Sequence, residues 1–202
     1  MGILIDQFGW FASPRLPLSW LKAGGLALVT LGMLVATGLL DRRAATVEAR
    51  RPRQWPWRLV GIGAGFLMAT QTAINGHLGV ILKSSVHAAM VSFTVGAVLL
   101  ILVVLGLRVP LAPLKTALAT GPRYWWIWIG GFLGAAYVFG SAWLVPQIGT
   151  GQVVVIALFG QLLFSAIIEQ FGWFEAVAHR VALTRLLGLV GMFIGVIGVH
   201  FF

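Results

Sequence analysis

The sequence predicts an all-α integral membrane protein with six transmembrane helices, and three observations carry that expectation. Of its 202 residues, 59% are hydrophobic and only 9% charged, with a mean hydropathy of +0.97. A soluble domain carries roughly a quarter charged residues, and surface grows too fast relative to volume for a chain this short to hide so much apolar area. The apolar residues fall into six continuous runs, each near the length a helix needs to cross roughly 30 Å of hydrocarbon. Finally, Ile5-Asp6-Gln7-Phe8-Gly9-Trp10-Phe11 returns as Ile168-Glu169-Gln170-Phe171-Gly172-Trp173-Phe174. Each copy leads through a short polar stretch into an apolar run, as an internal repeat would.

The runs cover residues 21–40, 59–82, 86–107, 124–145, 149–171 and 182–202. They are continuous, whereas barrel strands would alternate polar and apolar residues over shorter lengths. The connections between them differ in charge. Residues 41–58 hold Arg42, Arg43, Arg50, Arg51, Arg53 and Arg58, and residues 108–123 hold Arg108, Lys115 and Arg123. The stretch after Phe174 holds His179, Arg180 and Arg185, while the other two connections carry only Lys83. Cytoplasmic loops concentrate Lys and Arg, so the three basic connections belong inside. The N-terminus is then outside, the first run points inward, and Phe202 ends outside. Arg15 and Lys22 run against this trend and are outweighed by the six arginines that follow.

This topology puts Asp6 on the outer side and Glu169 on the inner side. A unit of five helices must invert when duplicated in tandem, and inverted repeats are a recurrent construction of secondary transporters. The match continues without a gap, pairing Gly25 with Gly188, Leu26 with Leu189 and Gly32 with Gly195. Trp55, Trp57, Trp125, Trp126, Trp128 and Trp143 sit near run ends, where amphipathic rings meet headgroups. Gly61 and Gly65, Gly130 and Gly134, and Gly191 and Gly195 are spaced for close helix approach.

Polar groups at lipid depth are costly and point to function. The second run carries Gln71, Thr72 and Asn75, with Gln71 and Asn75 on one helical face. The fifth carries Gln161, Ser165 and Glu169 at four-residue steps, a polar stripe ending in a carboxylate, and Gln152 lies on roughly the opposite face from Gln161. Glu169 has two readings. It exchanges a proton or another cation, or it reaches headgroups or a neighbouring helix from the end of its own. Gln71 and Asn75 likewise either line a substrate path or bond between helices. There are no cysteines, the histidines have no metal-site spacing, and no catalytic set or phosphate loop is visible. The expectation is a non-enzyme without metal or cofactor. The net charge of +9 serves topology and not nucleic-acid binding.

Several of these segments resemble the YdcZ family of inner-membrane exporters, part of the drug/metabolite transporter superfamily. Gln71-Thr72-Ala73-Ile74-Asn75-Gly76-His77-Leu78-Gly79 resembles its first-helix motif, and Gly130-Gly131-Phe132-Leu133-Gly134 its third helix. Val145-Pro146-Gln147-Ile148-Gly149 resembles the turn before its fourth helix. Gly160-Gln161-Leu162-Leu163, followed by an acid and Phe171-Gly172, resembles that helix itself. Two positions depart from the pattern: Gln147 replaces a basic residue, and Glu169 replaces the usual Asp, which the first copy keeps at Asp6. The resemblance implies a drug/metabolite-transporter-like bundle in the inner membrane, multi-pass, exporting an unspecified small molecule.

The expected organisation is the end of a truncated first repeat (1–40), a basic cytoplasmic linker (41–58) and a complete five-helix repeat (59–202). The first functional reading is a secondary transporter working by alternating access and coupled to a proton or cation. Gln71 and Asn75 would then line the substrate path, with Gln161, Ser165 and Glu169 supplying coupling or cargo contacts. The alternative is a non-transporting membrane subunit, or a fragment that needs a dimer partner or partner repeat.

Overall fold

The computed structural model describes residues 1–16, 19–38, 55–110, 112, 126–176 and 181–201, and most of these residues are helical. We label the helices α1 (Gly2–Phe8), α2 (Trp20–Ala36), α3 (Trp55–Ile81), α4 (Ser85–Gly106), α5 (Trp126–Ile148), α6 (Thr150–Phe171) and α7 (Leu183–Phe201). Most of the basic connection at 41–58 lies outside the described residues. So do most of 108–123 and both His179 and Arg180.

By length and composition, α4, α6, α7 and the 128–148 part of α5 can each cross a membrane. The other two expected spans differ from these. Helix α2 is apolar but has 17 residues, about 26 Å of axis against a core of roughly 30 Å. Helix α3 has 27 residues, and Gln71, Thr72 and Asn75 dilute its apolar content.

Two departures from the sequence expectation concern helix ends. Residues 2–8 form a helix of their own, so Asp6 has a helical carrier. The periodic signal was too short to reveal it, because Asp6 and Gln7 interrupt a segment of seven residues. The expected turn at Pro146 is instead helical: α5 runs through Pro146 to Ile148. The chain reverses at Gly149, whose φ of 86° suits glycine alone. Pro146 has no N–H to offer the carbonyl of Ala142. That carbonyl faces Gly79 of α3, where an added Cβ would lie 3.2 Å from it. A glycine there lets the two backbones close up.

Helix α6 is the hub, packing on α1, α3, α5 and α7. Buried clusters tie it to the α2–α7 pair: Val29 with Val155 and Met192, and Ala36 with Ala166 and Leu189. On its other flank, α3, α4 and α5 pack together. A third cluster joins Ile5 of α1 to Ala69 and Ala73 of α3.

The most extensive pairing is α2 on α7, and glycine makes it possible. A Cβ on Gly25 would lie 3.0 Å from the Gly195 carbonyl, and one on Gly32 2.7 Å from the Gly188 carbonyl. Low residue numbers on one helix meet high numbers on the other, so the two run antiparallel. Gly25 and Gly188 are matched positions in the repeated sequence, as are Gly32 and Gly195. Each glycine therefore touches the counterpart of the other, the contact pattern a two-fold axis between the helices would produce.

Candidate functional site

The two copies of the repeated motif build the same backbone. Gly9 and Gly172 close their helices in the left-handed region, at φ 67° and 63°. Each is followed by a 3₁₀ turn, Trp10–Ala12 and Trp173–Glu175, in which Phe11 and Phe174 also have positive φ (55° and 59°). The stacked rings repeat as well: Phe8 on Trp10 at 5.4 Å and Phe171 on Trp173 at 5.6 Å. Glycine closes a helix this way because it lacks a Cβ, and the stacked pair then fixes the direction of the chain that leaves it.

The carboxylates on these copies have different partners. Asp6 is 4% exposed. Its oxygens accept hydrogen bonds from the Thr150 N–H (2.8 Å), the Gly151 N–H (2.7 Å) and the Ser13 hydroxyl (2.7 Å). Ser13 and Thr150 Oγ1 are also 3.0 Å apart. Asp6 thus caps the N-terminus of α6 from another helix, placing negative charge where the first N–H groups of α6 lack helical partners. Space enforces the arrangement, since a Cβ on Gly149 or Gly151 would lie 2.9 or 3.0 Å from Asp6 Oδ2. The sequence carries no local sign of this cap, because the amides it satisfies come from residues 144 and 145 positions away.

Glu169 lies near the other end of α6, about 28 Å along the axis from Thr150. Arg185 of α7 donates to both of its oxygens and to Ser165 Oγ, and Ser165 donates to Glu169. The side chains of Arg185 and Glu169 remain 20% and 38% exposed. Ser165 and Glu169 thus form one cluster, as their four-residue spacing foretold. Arg185, counted in sequence as a loop charge, completes it. At the opposite end of α7, Gln152 donates to the Val199 carbonyl and meets His200 Nδ1 at 3.2 Å. This is the separate contact expected from its facing away from Gln161.

The remaining predicted residues do not converge on that cluster. Gln161 lines a cavity of about 250 Å³ between α3, α5 and α6, together with Tyr137. Gln71 lines another, of about 350 Å³, with Ser92, Phe93 and Gly96 of α4 and Val138 of α5. Asn75, one turn on from Gln71, is buried. Its neighbour Gly76 explains the tight fit, since a Cβ there would lie 2.4 Å from Val145 Cγ1. Tyr137 was missed in the sequence because a single tyrosine in an aromatic-rich helix reads as an interface anchor. Among the described residues its hydroxyl is buried without a hydrogen-bond partner, and no group of His, Asp and Glu could hold a metal.

The family model described as "putative inner membrane exporter, YdcZ" matches residues 1–35 and 56–198. The chain belongs to this family. It is a multi-pass inner-membrane protein of an exporter family, in line with its apolar helices. The match includes α1 as well as the five helices after the linker, so the Asp6 copy of the motif falls within the family pattern. No curated protein and no solved structure matches the chain.

Proposed function

We propose that this YdcZ-family protein is a secondary transporter that exports a small molecule by alternating access between inverted halves. The observation that carries the reading is the reciprocal glycine contact between α2 and α7, the helices that follow the two motif copies. Antiparallel equivalents are what an inverted duplication requires, and exchanging the conformations of two such halves exchanges inward and outward openings. Residues 1–40 then represent the end of one half and residues 59–202 the other, six spans in all.

In this reading Glu169 is the coupling group. As a carboxylate it pins α6 to α7 through Arg185. Taking up a proton removes its charge, weakens the pair and frees that end of α6 to move. Gln161 lies two turns further into the same helix, so the movement is transmitted to the cavity it lines. Asn75, buried on α3, sets the closure on the opposite side.

The test is efflux from cells expressing the chain, screened with a panel of small molecules and repeated with Glu169→Gln and Asn75→Ala. Both variants are expected to insert in the membrane at the wild-type level and to abolish efflux. Undiminished efflux in both removes these residues from the mechanism. If wild type drives no efflux, the chain is instead a non-transporting subunit. Reporter fusions at Arg50 and Phe202 should report opposite membrane sides; the same side for both would end the inverted-half reading.

A further inference from the structure

The connection between α1 and α2 lies at the end of the bundle where α2 and α6 start and α7 stops. Gly25 of α2 faces Val199 of α7 there, and Asp6 caps α6 from just before the connection. The chain is pinned at this place. Ser13 donates to Asp6 and lies 3.0 Å from Thr150 Oγ1, the Leu16 N–H donates to the Asp6 carbonyl, and a Cβ on Gly149 would lie 2.7 Å from Leu16 Cδ1. Arg15, between these anchors, is exposed. Its side chain crosses Gly9, where an added Cβ would lie 2.8 Å from both Arg15 Cγ and Nε. Gly9 in turn separates Phe8 from Trp10, the stacked pair, and both rings are exposed.

Charge at this end is unbalanced. Lys22 stands in the first turn of α2 and lines a small cavity with Asp6 and Leu16, so it flanks the same connection. Neither Arg15 nor Lys22 has an ion-pair partner among the described residues. The chain has five acids. Asp6 is buried and already accepts from two backbone N–H groups and the Ser13 hydroxyl. Glu169 and Glu175 lie at the far end of α6, and Asp41 and Glu48 belong to the stretch that follows α2 in sequence. The start of α2 adds the positive end of its helix dipole to the two cations. Arg15 and Lys22 also oppose the charge bias that orients the chain, since the expected topology puts this end outside.

Exposed aromatic rings at the ends of membrane spans sit at headgroup depth. A guanidinium held beside them meets lipid phosphate, which its fork of N–H donors matches bidentately. A zwitterionic lipid would bring an ammonium along with the phosphate, and this end has no free carboxylate to receive it. We infer that Arg15, seated across Gly9 beside the Phe8–Trp10 pair, holds the phosphate of an anionic phospholipid, with Lys22 as the second positive charge. The inference stands apart from the transport reading, because it concerns the membrane face of the protein and not its cargo.

Native mass spectrometry of the whole chain, released from micelles, tests this with dioleoyl phosphatidylglycerol and dioleoyl phosphatidylcholine titrated together. The two lipids share their acyl chains, so their ratio on the protein reads the headgroup alone. Phosphatidylglycerol is expected to be retained at least about tenfold more tightly, the scale of two cations at an anionic surface. Arg15→Gln should cut that preference about fivefold and leave the unfolding temperature nearly unchanged, because the side chain is exposed. Lys83→Gln removes the same charge from the α3–α4 turn and should leave the preference intact. Equal retention of the two lipids overturns the assignment. Equal losses in Arg15→Gln and Lys83→Gln also overturn it, because net charge alone would then explain the preference. Release of the lipid by millimolar glycerol phosphate overturns it as well, by making the site one for a soluble phosphate compound.

Discussion

Asp6 and Glu169 occupy the same position in two copies of one motif, at opposite ends of one helix, yet they are used differently. Asp6 is sealed from solvent and accepts from backbone N–H groups. Glu169 is part-exposed and pairs with an arginine side chain. The backbone around them is nearly identical, so local sequence does not decide the difference. What decides it is the packed neighbour: the start of α6 against Asp6, and Arg185 of α7 against Glu169. The lengths of the side chains follow from this. Asp6 reaches the α6 N-terminus because Gly149 and Gly151 bring no Cβ against its oxygens, whereas Glu169 uses its extra reach to meet Arg185 from the neighbouring helix.

The largest effect should come from deleting the buried carboxylate. Asp6→Ala leaves the Thr150 and Gly151 N–H groups and the Ser13 hydroxyl without their acceptor. Buried donors deprived of a charged partner cost about 1.5–3 kcal/mol each, and partial relaxation should bring the total to about 3–5 kcal/mol. Thermal unfolding in detergent should show a fall of many degrees, with Asp6→Asn intermediate because it keeps one acceptor oxygen. A fall no larger than that of Glu169→Gln would mean the cap contributes little.

The pairing that relates the two copies can be broken next. A Cβ on Gly188 would lie 2.5 Å from the Ala36 backbone N, and backbone cannot yield as a flexible side chain can. Gly188→Val should therefore push α2 and α7 apart and cost about 2–3 kcal/mol. Gly191→Val, one turn away, should be much milder, because a Cβ there meets only Gly32 Cα at 3.8 Å. Equal losses in the two variants would show that lipid or helix tilt absorbs the added bulk.

These glycines show how far the sequence could be read. The repeat gave the matched positions and, with the basic loops, their opposite orientation; the antiparallel α2–α7 contact agrees with that. The polar stripe ending at Glu169 was legible because four-residue spacing alone brings Ser165 and Glu169 together. The cap at Asp6 was not, since a carboxylate that binds main-chain amides leaves no complementary side chain to find. Proline misled at Pro146 for a related reason. A lost N–H ends most helices, but here the freed carbonyl faces Gly79 of another helix and α5 continues. Tyr137 was illegible because its signal is a missing partner, which exists only once the neighbours are in place.

The smallest expected effect is also the sharpest test of the contrast, and it exchanges the two side-chain lengths. Glu169→Asp shortens a part-exposed ion pair. Such pairs are worth under about 1 kcal/mol after solvent screening, so the unfolding temperature should fall by no more than a few degrees. Asp6→Glu keeps the charge but adds a methylene against Gly149 and Gly151, and should cost about 1–3 kcal/mol by overpacking. If neighbours set the two roles, the same change of one methylene is tolerated at 169 and penalised at 6. Equal tolerance at both positions would mean that the α6 N-terminus can shift to accept a longer acid, and that the motif itself determines how its carboxylate is used.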